Sequence, residues 1–228
     1  MTDENQTGGL NWRDGGVPVS RRFDDPYFSL AGGLAETRHV FLQGNDLPAR
    51  FRPGFQIAEL GFGTGLNMLA ATLLWRDSGQ SGDLHFTSFE AYPLEAHDIA
   101  RALDAFPQAR AIAGPFLDQW AAGSRQIALP GLRANVIVGD ARLTLPGWHG
   151  AADAWFLDGF SPAKNPELWQ DDLMAGVARH TRPGGSFATY TSAGFVRRAL
   201  QAAGFQVERR KGFGTKRHMS LGRMANER

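Results

Sequence analysis

The segment of residues 55–67 constrains the fold most, because an apolar run of strand length ends directly in alternating glycines. Residues 55–60 (FQIAEL) predict a strand, and residues 66–75 continue with a helical pattern. Between them lie Gly61, Gly63 and Gly65. Glycines at these positions allow positive φ angles and let a ligand approach the backbone closely. The segment therefore predicts a strand, a tight ligand-binding turn and a helix of an α/β fold.

Strand and helix patterns alternate along the rest of the chain. Further strands are predicted at 84–90, 136–139, 154–157 and 186–190, and further helices at 94–106, 168–180 and 195–203. We expect Pro183-Gly184-Gly185 and Ala203-Gly204 to end the last two helices. Strands separated by helices favour a doubly wound, mostly parallel sheet with a Rossmann-like order. Residues 205–211 and 218–223 have too short a link for a crossover, which predicts an antiparallel C-terminal hairpin.

The chain of 228 residues has no internal repeat or long linker, which indicates one domain. Residues 51–228 carry the periodic patterns and are predicted to form its main part. Residues 1–50 have weak periodicity, and we expect an N-terminal arm or lid of the same domain with one or two short strands.

Composition excludes several kinds of chemistry. The sequence has no Cys, so disulfides, thiolate zinc sites and thiol nucleophiles are excluded, and no metal site is predicted. No apolar run approaches the roughly 18 residues that a membrane span needs. The first ten residues lack the basic and then apolar pattern of a signal peptide. We therefore expect a cytoplasmic protein without membrane contact.

Carboxylates follow the predicted strands close to the glycine turn. Glu90 ends the second strand, where a carboxylate can accept hydrogen bonds from the ribose hydroxyls of a nucleoside cofactor. Asp140 follows the third strand at the same edge, and Glu59 lies inside the first. The turn is neither G-x-x-x-x-G-K-[ST] nor G-x-G-x-x-G. This layout is typical of S-adenosylmethionine binding; the alternative is a tight turn with solvated acids. The predicted cofactor-binding residues are Glu59, Gly61, Phe62, Gly63, Thr64, Gly65, Asn67, Glu90, Asp140 and Asp158.

Asp158 ends the apolar strand 154–157 and begins a turn that contains Gly, an aromatic residue and Pro. In this position a carboxylate can orient an N–H group, stabilise a developing ammonium and accept its proton. Asp158 and Phe160 are therefore the predicted catalytic residues, with a simple strand-end cap as the alternative for Asp158. Helix capping accounts for Asn165 and Pro166. Lys164 is left as a candidate phosphate contact.

These motifs together resemble the methyltransferase domain of the MnmC family of tRNA 5-methylaminomethyl-2-thiouridine biosynthesis proteins. The resemblance covers nearly the whole chain, and DGFSPAKNP and TSAGFVRR are its most specific stretches. It implies methyl transfer from S-adenosylmethionine to the exocyclic amine of 5-aminomethyl-2-thiouridine at the tRNA wobble position, with Asp158 at the transfer site. The matching segments are 18–29, 36–42, 59–67, 153–166, 182–185, 191–198 and 210–217.

The family's bifunctional members also carry an FAD-dependent oxidase module, and this sequence has no second glycine fingerprint for one. We expect a stand-alone methyltransferase in preference to an excised domain, supplied with its aminomethyl substrate by other enzymes.

The last 32 residues are basic, with nine Lys and Arg against two Asp and Glu, while the whole chain has a net charge of +1. Such a surface suits a polyanion. Given the resemblance, we expect the partner to be the anticodon stem-loop of tRNA, with the wobble base turned out of its stack to reach Asp158. The candidate RNA contacts are Lys164, Arg197, Arg198, Arg209, Arg210, Lys211, Lys216 and Arg217. We further expect Asp25, Tyr27 and Phe28 of the arm to close over the cofactor.

Three alternatives remain open from the sequence. One is an N-methyltransferase for a small amine, which would act without RNA and with little salt dependence. Another is a nucleotide-dependent oxidoreductase that uses Glu90 for ribose, against which the glycine spacing and the C-terminal hairpin argue. The third is a catalytically silent tRNA-binding module, in which Asp158 would be dispensable. The oligomeric state is not predicted.

Overall fold

The computed structural model describes residues 9–29 and 32–226. Residues 1–8, 30 and 31 of the predicted arm, and residues 227 and 228 of the basic tail, lie outside this part. The strands are β1 (Leu10–Arg13), β2 (Val17–Ser20), β3 (Asp25–Pro26), β4 (Gln56–Leu60), β5 (Leu84–Glu90), β6 (Gln126–Leu129), β7 (Leu132–Val138), β8 (Ala152–Leu157), β9 (Thr181–Thr189), β10 (Phe205–Lys211) and β11 (His218–Met224). The α-helices are α1 (Gly33–Thr37), α2 (Leu66–Asp77), α3 (Ala96–Leu103), α4 (Pro107–Arg110), α5 (Gly114–Ala121), α6 (Ala141–Thr144), α7 (Asp171–Arg179) and α8 (Gly194–Ala202).

An eight-stranded sheet forms the centre of the fold, in the order β10-β11-β9-β8-β4-β5-β7-β6. The five strands from β9 to β7 are parallel to one another, while β11 is antiparallel to both β9 and β10. The strand order reverses at β4, which has β5 on one side and β8 on the other. The predicted doubly wound α/β fold with an antiparallel C-terminal hairpin is therefore confirmed.

Two hydrophobic clusters cover the faces of this sheet, because successive side chains of a strand point to opposite sides. Ile57 and Phe156 belong to the cluster that contains α2, α3 and α5. Ala58 and Trp155 belong to the cluster that contains α7 and α8. The strands are buried on both faces, and ligands can therefore reach the sheet at its carboxyl edge.

One local prediction was wrong, and one hairpin was not predicted. Pro183-Gly184-Gly185 does not end a helix, because α7 already ends at Arg179 and these residues lie inside β9. They accommodate an irregular start of the strand, where the pairing register between β8 and β9 shifts. The other edge of the sheet carries a further hairpin, β6 with β7, that the patterns did not predict. Only residues 136–139 of that region had been assigned to a strand.

The first 50 residues contain more structure than an arm with one or two strands. Strands β1, β2 and β3 form a separate antiparallel sheet. After α1 the chain continues through a π-helical turn, Arg38–Leu42, whose Val40, Phe41 and Leu42 are buried in the core beside α2. The division of the chain at residue 50 stays a prediction.

None of the helices within residues 9–29 and 32–226 is both long enough and apolar enough to span a membrane.

Gly61 provides a test of how closely β4 and β8 approach each other. We expect Gly61→Ala to lower the free energy of unfolding by about 1–3 kcal/mol more than Gly79→Ala does. Both glycines have positive φ angles, of 91° and 70°, so both variants carry backbone strain. Only at Gly61 would the new Cβ meet an atom, the Asp158 carbonyl oxygen at 2.7 Å. Urea unfolding measures both changes, and equal losses would show that the close approach does not matter.

Candidate active site

A cavity of about 930 Å³ opens at the carboxyl edge of β4, β5 and β8. Its walls include the turn after β4, the acids that follow β5, β7 and β8, and residues 22–29 of the N-terminal part. The structure brings to this one cavity the predicted residues Gly61, Phe62, Gly63, Thr64, Asn67, Glu90, Asp140, Asp158, Phe160, Lys164 and Lys216.

The glycine turn lies between two strands. The N–H of Gly61 donates to Phe89 O at 2.9 Å, and the N–H of Asp158 donates to Leu60 O at 3.0 Å. Gly61 and Gly63 line the cavity, which fits the predicted ligand-binding turn. Gly65 does not line it; at a φ of 74° it begins α2, and a Cβ there would lie 3.1 Å from Phe62 and Phe116. Packing therefore accounts for the third glycine.

The Asn67 side chain connects two carboxylates. Its Nδ2 donates to Glu59 Oε1 at 2.9 Å and to Asp158 Oδ2 at 2.7 Å. Its Oδ1 accepts a hydrogen bond from the Thr37 hydroxyl at 2.8 Å. Every polar group of this amide is thereby used, so the side chain is fixed in one orientation. Thr37 brings α1 of the N-terminal part into the network, a contact that sequence patterns did not indicate.

Glu59 does not line the cavity, and this corrects the predicted direct contact with the cofactor. Its side chain is fully buried, with 0% exposure, and it accepts hydrogen bonds from Asn67 and, at 2.7 Å, from the Ser88 hydroxyl. Burial raises the pKa of Glu59 well above its ordinary value, although both hydrogen bonds oppose this. Glu59 thus orients the Asn67 side chain from the buried side, away from the cavity.

Asp158 is the half-buried carboxylate at the end of β8, and it faces the cavity. Burial raises its pKa from 3.8 to about 7, against the opposing hydrogen bond from Asn67. Glu36 raises this pKa further and Lys216 lowers it. A carboxyl group with a pKa close to neutral can accept and release a proton at the pH at which most enzymes work.

Glu90 and Asp140 differ in how much of their hydrogen-bonding capacity is used. Glu90 accepts two backbone N–H groups, from Gly63 at 3.0 Å and from Tyr92 at 2.8 Å, which leaves further lone pairs for a ligand in the cavity. Asp140 caps α6 and forms an ion pair with Arg142 at 2.5 Å, which lowers the pKa of Asp140. Arg142 also lines the cavity.

Residues 23–28, here called the N-terminal strap, cross the cavity between the glycine turn and the loop after β8. The Tyr27 ring lies 3.1 Å from where a Cβ on Gly63 would be, and its centroid is 5.0 Å from that of Phe160. Phe23 lies 4.9 Å from Phe160 between ring centroids. Asp25 Oδ2 accepts the Ser161 N–H at 2.8 Å. Phe28 also lines the cavity, and its ring packs on Phe106 with the centroids 4.8 Å apart.

The two predicted basic residues that line the cavity are each paired with a carboxylate. Lys164 contacts the Asp24 carbonyl and lies 3.3 Å from Asp24 Oδ2. Lys216 donates to Glu36 Oε1 at 2.6 Å and lies 4.5 Å from the centre of the Tyr190 ring. Arg197, Arg198, Lys211 and Arg217 do not line the cavity. Tyr190, which sequence reasoning did not single out, does line it and donates to Gly159 O at 2.8 Å.

Comparison with known proteins identifies the family. A family model described as S-adenosyl-L-methionine-dependent methyltransferase matches residues 107–225, more than half of the chain. The chain belongs to this family of methyltransferases.

Individual relatives agree with this assignment. The tRNA 5-methylaminomethyl-2-thiouridine biosynthesis bifunctional protein MnmC of Caulobacter sp. strain K31 is 51% identical over 221 residues, 91% of this chain and 37% of that protein. The protein of the same name from Aeromonas hydrophila is 46% identical over 235 residues, 96% of this chain and 35% of that protein. The crystal structure of MNMC2 from Aquifex aeolicus has a TM-score of 0.79 at 25% identity, covering 97% of this chain and 72% of that one. The methyltransferase thus spans about a third of the curated relatives it matches, and the resemblance to the methyltransferase part of MnmC is confirmed.

S-adenosylmethionine is the cofactor of the methyltransferase, and the cavity fits it in two respects. The turn presents backbone without side chains at Gly61 and Gly63, and Glu90 offers carboxylate lone pairs at the end of β5. The oxidoreductase alternative is excluded by the family. Within residues 9–29 and 32–226, no three His, Asp or Glu side chains gather as a metal ion requires.

The raised pKa of Asp158 predicts that Asp158→Asn stabilises the cofactor-free methyltransferase. The folded protein holds this proton up to about pH 7 and the unfolded chain only to about pH 4, so ionisation of Asp158 costs stability as the pH rises between these values. We expect the gain from Asp158→Asn to grow from pH 4 to 7, to at most about 4 kcal/mol, and then to level off. Asn can still accept the Asn67 amide hydrogen, so the network is kept. Thermal unfolding at several pH values measures this, and a difference that does not change with pH would contradict it.

Proposed function

We propose that this methyltransferase transfers a methyl group to the exocyclic amine of 5-aminomethyl-2-thiouridine at the tRNA wobble position, forming 5-methylaminomethyl-2-thiouridine. The single observation that carries the proposal is the Asp158 carboxyl group, which faces the cavity with a pKa of about 7 and is held by Asn67. The names of the similar MnmC proteins support the choice of substrate. The alternative acceptor is a small-molecule amine.

The chemistry assigns separate tasks to the side chains around the cavity. S-adenosylmethionine supplies a methyl group bound to a positively charged sulfur. Ionised Asp158 accepts an N–H hydrogen bond from the neutral substrate amine and thereby directs the nitrogen lone pair away from itself. As the N–C bond forms and the C–S bond breaks, the nitrogen becomes positive, and the nearby carboxylate stabilises that charge. Asp158 then accepts the proton that the product amine loses.

Aromatic residues close the cavity around this carboxylate. Phe160 lies against Tyr27 and Phe23 of the strap, and Tyr190 lies across from them on the β9 side. In our proposal Phe160 packs against the uracil ring, and the strap excludes water from the reacting amine. Tyr27, together with Gly63, covers the cofactor side.

The tRNA anticodon stem-loop is the proposed partner, and the cytoplasm is the proposed location of the methyltransferase. Its phosphates would contact the half-buried Arg197 and the exposed Arg198 of α8, and the exposed Lys211 and Arg217 near the hairpin tip. Lys164 and Lys216 would contact phosphate only after leaving Asp24 and Glu36, with which they are paired in this structure. The proposed methyl acceptor is the free amine of the aminomethyl nucleoside.

Mass spectrometry of the wobble nucleoside tests the reaction directly. The purified protein and S-adenosylmethionine are incubated with tRNA that carries 5-aminomethyl-2-thiouridine, and in parallel with tRNA that carries the carboxymethylaminomethyl form. We expect a gain of one methyl group on the first tRNA only. No gain on either, from protein that still binds S-adenosylhomocysteine, would overturn the tRNA assignment and favour the small-amine alternative.

Asp158→Asn separates catalysis from binding. We expect turnover to fall by about 10²- to 10⁴-fold, because the substrate amine loses its base and its countercharge. Affinity for S-adenosylhomocysteine, measured by calorimetry, should change by less than about tenfold, since Asn67 keeps its partner. Asp118→Asn, at an exposed carboxylate on α5, is the matched control and should leave turnover unchanged. Full turnover by Asp158→Asn would remove Asp158 from the mechanism and agree with a merely structural cap.

A further inference from the structure

The start of α8 and the tip of the C-terminal hairpin lie at the edge of the sheet that carries the active site. Strands β9 and β10 are both antiparallel to β11 and therefore run in the same direction. The carboxyl end of β9 leads through Tyr190 into α8, and that of β10 leads into residues 212–217. Tyr190 and Lys216 line the cavity, so α8 and the hairpin tip flank it on this side.

Phe195 is exposed on this flank. On α8 the residues Val196, Ala199 and Leu200 are buried against the sheet, whereas Phe195 is 43% exposed. Phe195 and Arg198 are three positions apart and share the exposed face of the helix. The aromatic side chains of the strap and of the loop after β8 pack on one another, as Phe23, Tyr27 and Phe160 do. Phe195 takes no part in that packing, and its ring is accessible from solvent.

The basic residues of this flank differ from those inside the cavity. Arg198, Lys211 and Arg217 are exposed, and within the part of the chain that the structure describes none of them forms an ion pair with a carboxylate. Lys164 and Lys216 of the cavity, by contrast, are each paired. The flank therefore presents an exposed aromatic ring among unneutralised positive charges, the combination with which proteins bind single-stranded nucleic acid.

We propose that Phe195 stacks on an unpaired nucleobase that neighbours the target uridine in the RNA loop, while Arg198 contacts the adjoining phosphate. This proposal rests on the proposed function, because it takes RNA as the substrate. It goes further in two respects. It assigns the side of the cavity from which the RNA loop enters, and it assigns Phe195 as a residue that binds a base of the loop without touching the reacting amine. An anticodon loop suits this site, because its bases are unpaired and one of them must turn into the cavity.

The two contacts contribute to affinity in different ways, and this makes them separable. Stacking of a base on an aromatic ring depends little on ionic strength, whereas each phosphate contact releases counterions and steepens the fall of affinity with salt. Phe195 should therefore determine the affinity at every salt concentration, and Arg198 its salt dependence.

The experiment measures binding of a fluorescently labelled anticodon stem-loop RNA by anisotropy, over a range of salt concentrations. We expect Phe195→Ala to weaken binding by about 5- to 100-fold at each salt concentration, with an unchanged slope of log K against log salt. Phe195→Trp should restore the affinity. Arg198→Gln should make the slope shallower by about 0.7 to 0.9. Leu143→Ala removes an apolar side chain that is 79% exposed on α6, and as the matched control it should bind as the wild type does.

Activity measurements distinguish this proposal from the proposed function. For methylation of the stem-loop, Phe195→Ala should raise KM with kcat nearly unchanged, and its affinity for S-adenosylhomocysteine should equal that of the wild type. Equal RNA binding by the wild type and Phe195→Ala would overturn the stacking role, even if the wobble amine is methylated. A wild-type protein that binds the RNA through Phe195 without methylating it would overturn the proposed function alone. A wild-type protein that does not bind the RNA would overturn both.

Discussion

The hydrogen bonds of the Asn67 amide are the interaction on which the site depends. One nitrogen joins the Glu59 and Asp158 carboxyl groups, which come from neighbouring parallel strands, and the oxygen takes the Thr37 hydroxyl from the N-terminal part. Without this donor, Glu59 would lose one of its two partners in a fully buried position, which is costly for a carboxyl group. The amide also fixes Oδ2 of the Asp158 carboxyl group, which lines the cavity. Core burial and catalytic geometry are thus coupled through one side chain at the start of α2.

That coupling has an energetic consequence for the carboxyl group at the centre of the proposed chemistry. Burial raises the pKa of Asp158 from 3.8 to about 7, so the protonated and ionised forms of this carboxyl group have similar free energies at neutral pH, whereas in water the ionised form would be strongly favoured. The fold keeps this group in place because β4 and β8 pair up to Leu157, and because Gly61 leaves room for the Asp158 carbonyl oxygen. Residues that serve catalysis in this way commonly reduce stability. The packing of the strands on both sides offsets the stability that is lost by burying the Asp158 carboxyl group.

The sequence was most informative where a local pattern determines the structure. The glycine turn, the strand ends at Glu90 and Asp158, and the C-terminal hairpin are all readable from spacing, and each lies in the structure where it was expected. What could not be predicted depends on contacts between distant segments. Glu59 was predicted to contact the cofactor because an acid inside the first strand is typical of S-adenosylmethionine binding, but its buried side chain bonds Asn67 and Ser88 instead. Thr37 and Tyr190 reach the site only through tertiary packing, and Lys164 is paired with a residue 140 positions away.

Ion pairs involve the lysines at the cavity, whereas a hydrogen bond and aromatic packing hold the strap. This difference affects how a polyanion can bind. Both side chains of the Lys164–Asp24 ion pair are exposed, and pairs of this kind contribute only about 0–1 kcal/mol. In the Lys216–Glu36 pair the carboxylate is only 12% exposed. The strap is held in addition by the Asp25–Ser161 hydrogen bond and by the packing of Phe23 and Tyr27 on Phe160. Lys164 can therefore exchange the Asp24 carboxylate for a phosphate at little cost while the aromatic contacts keep the strap over the cavity. Lys216 would leave the nearly buried Glu36 carboxylate unpaired, which costs more. In the proposed reaction, Lys164 would in this way contact an RNA phosphate while the strap keeps water from the reacting amine.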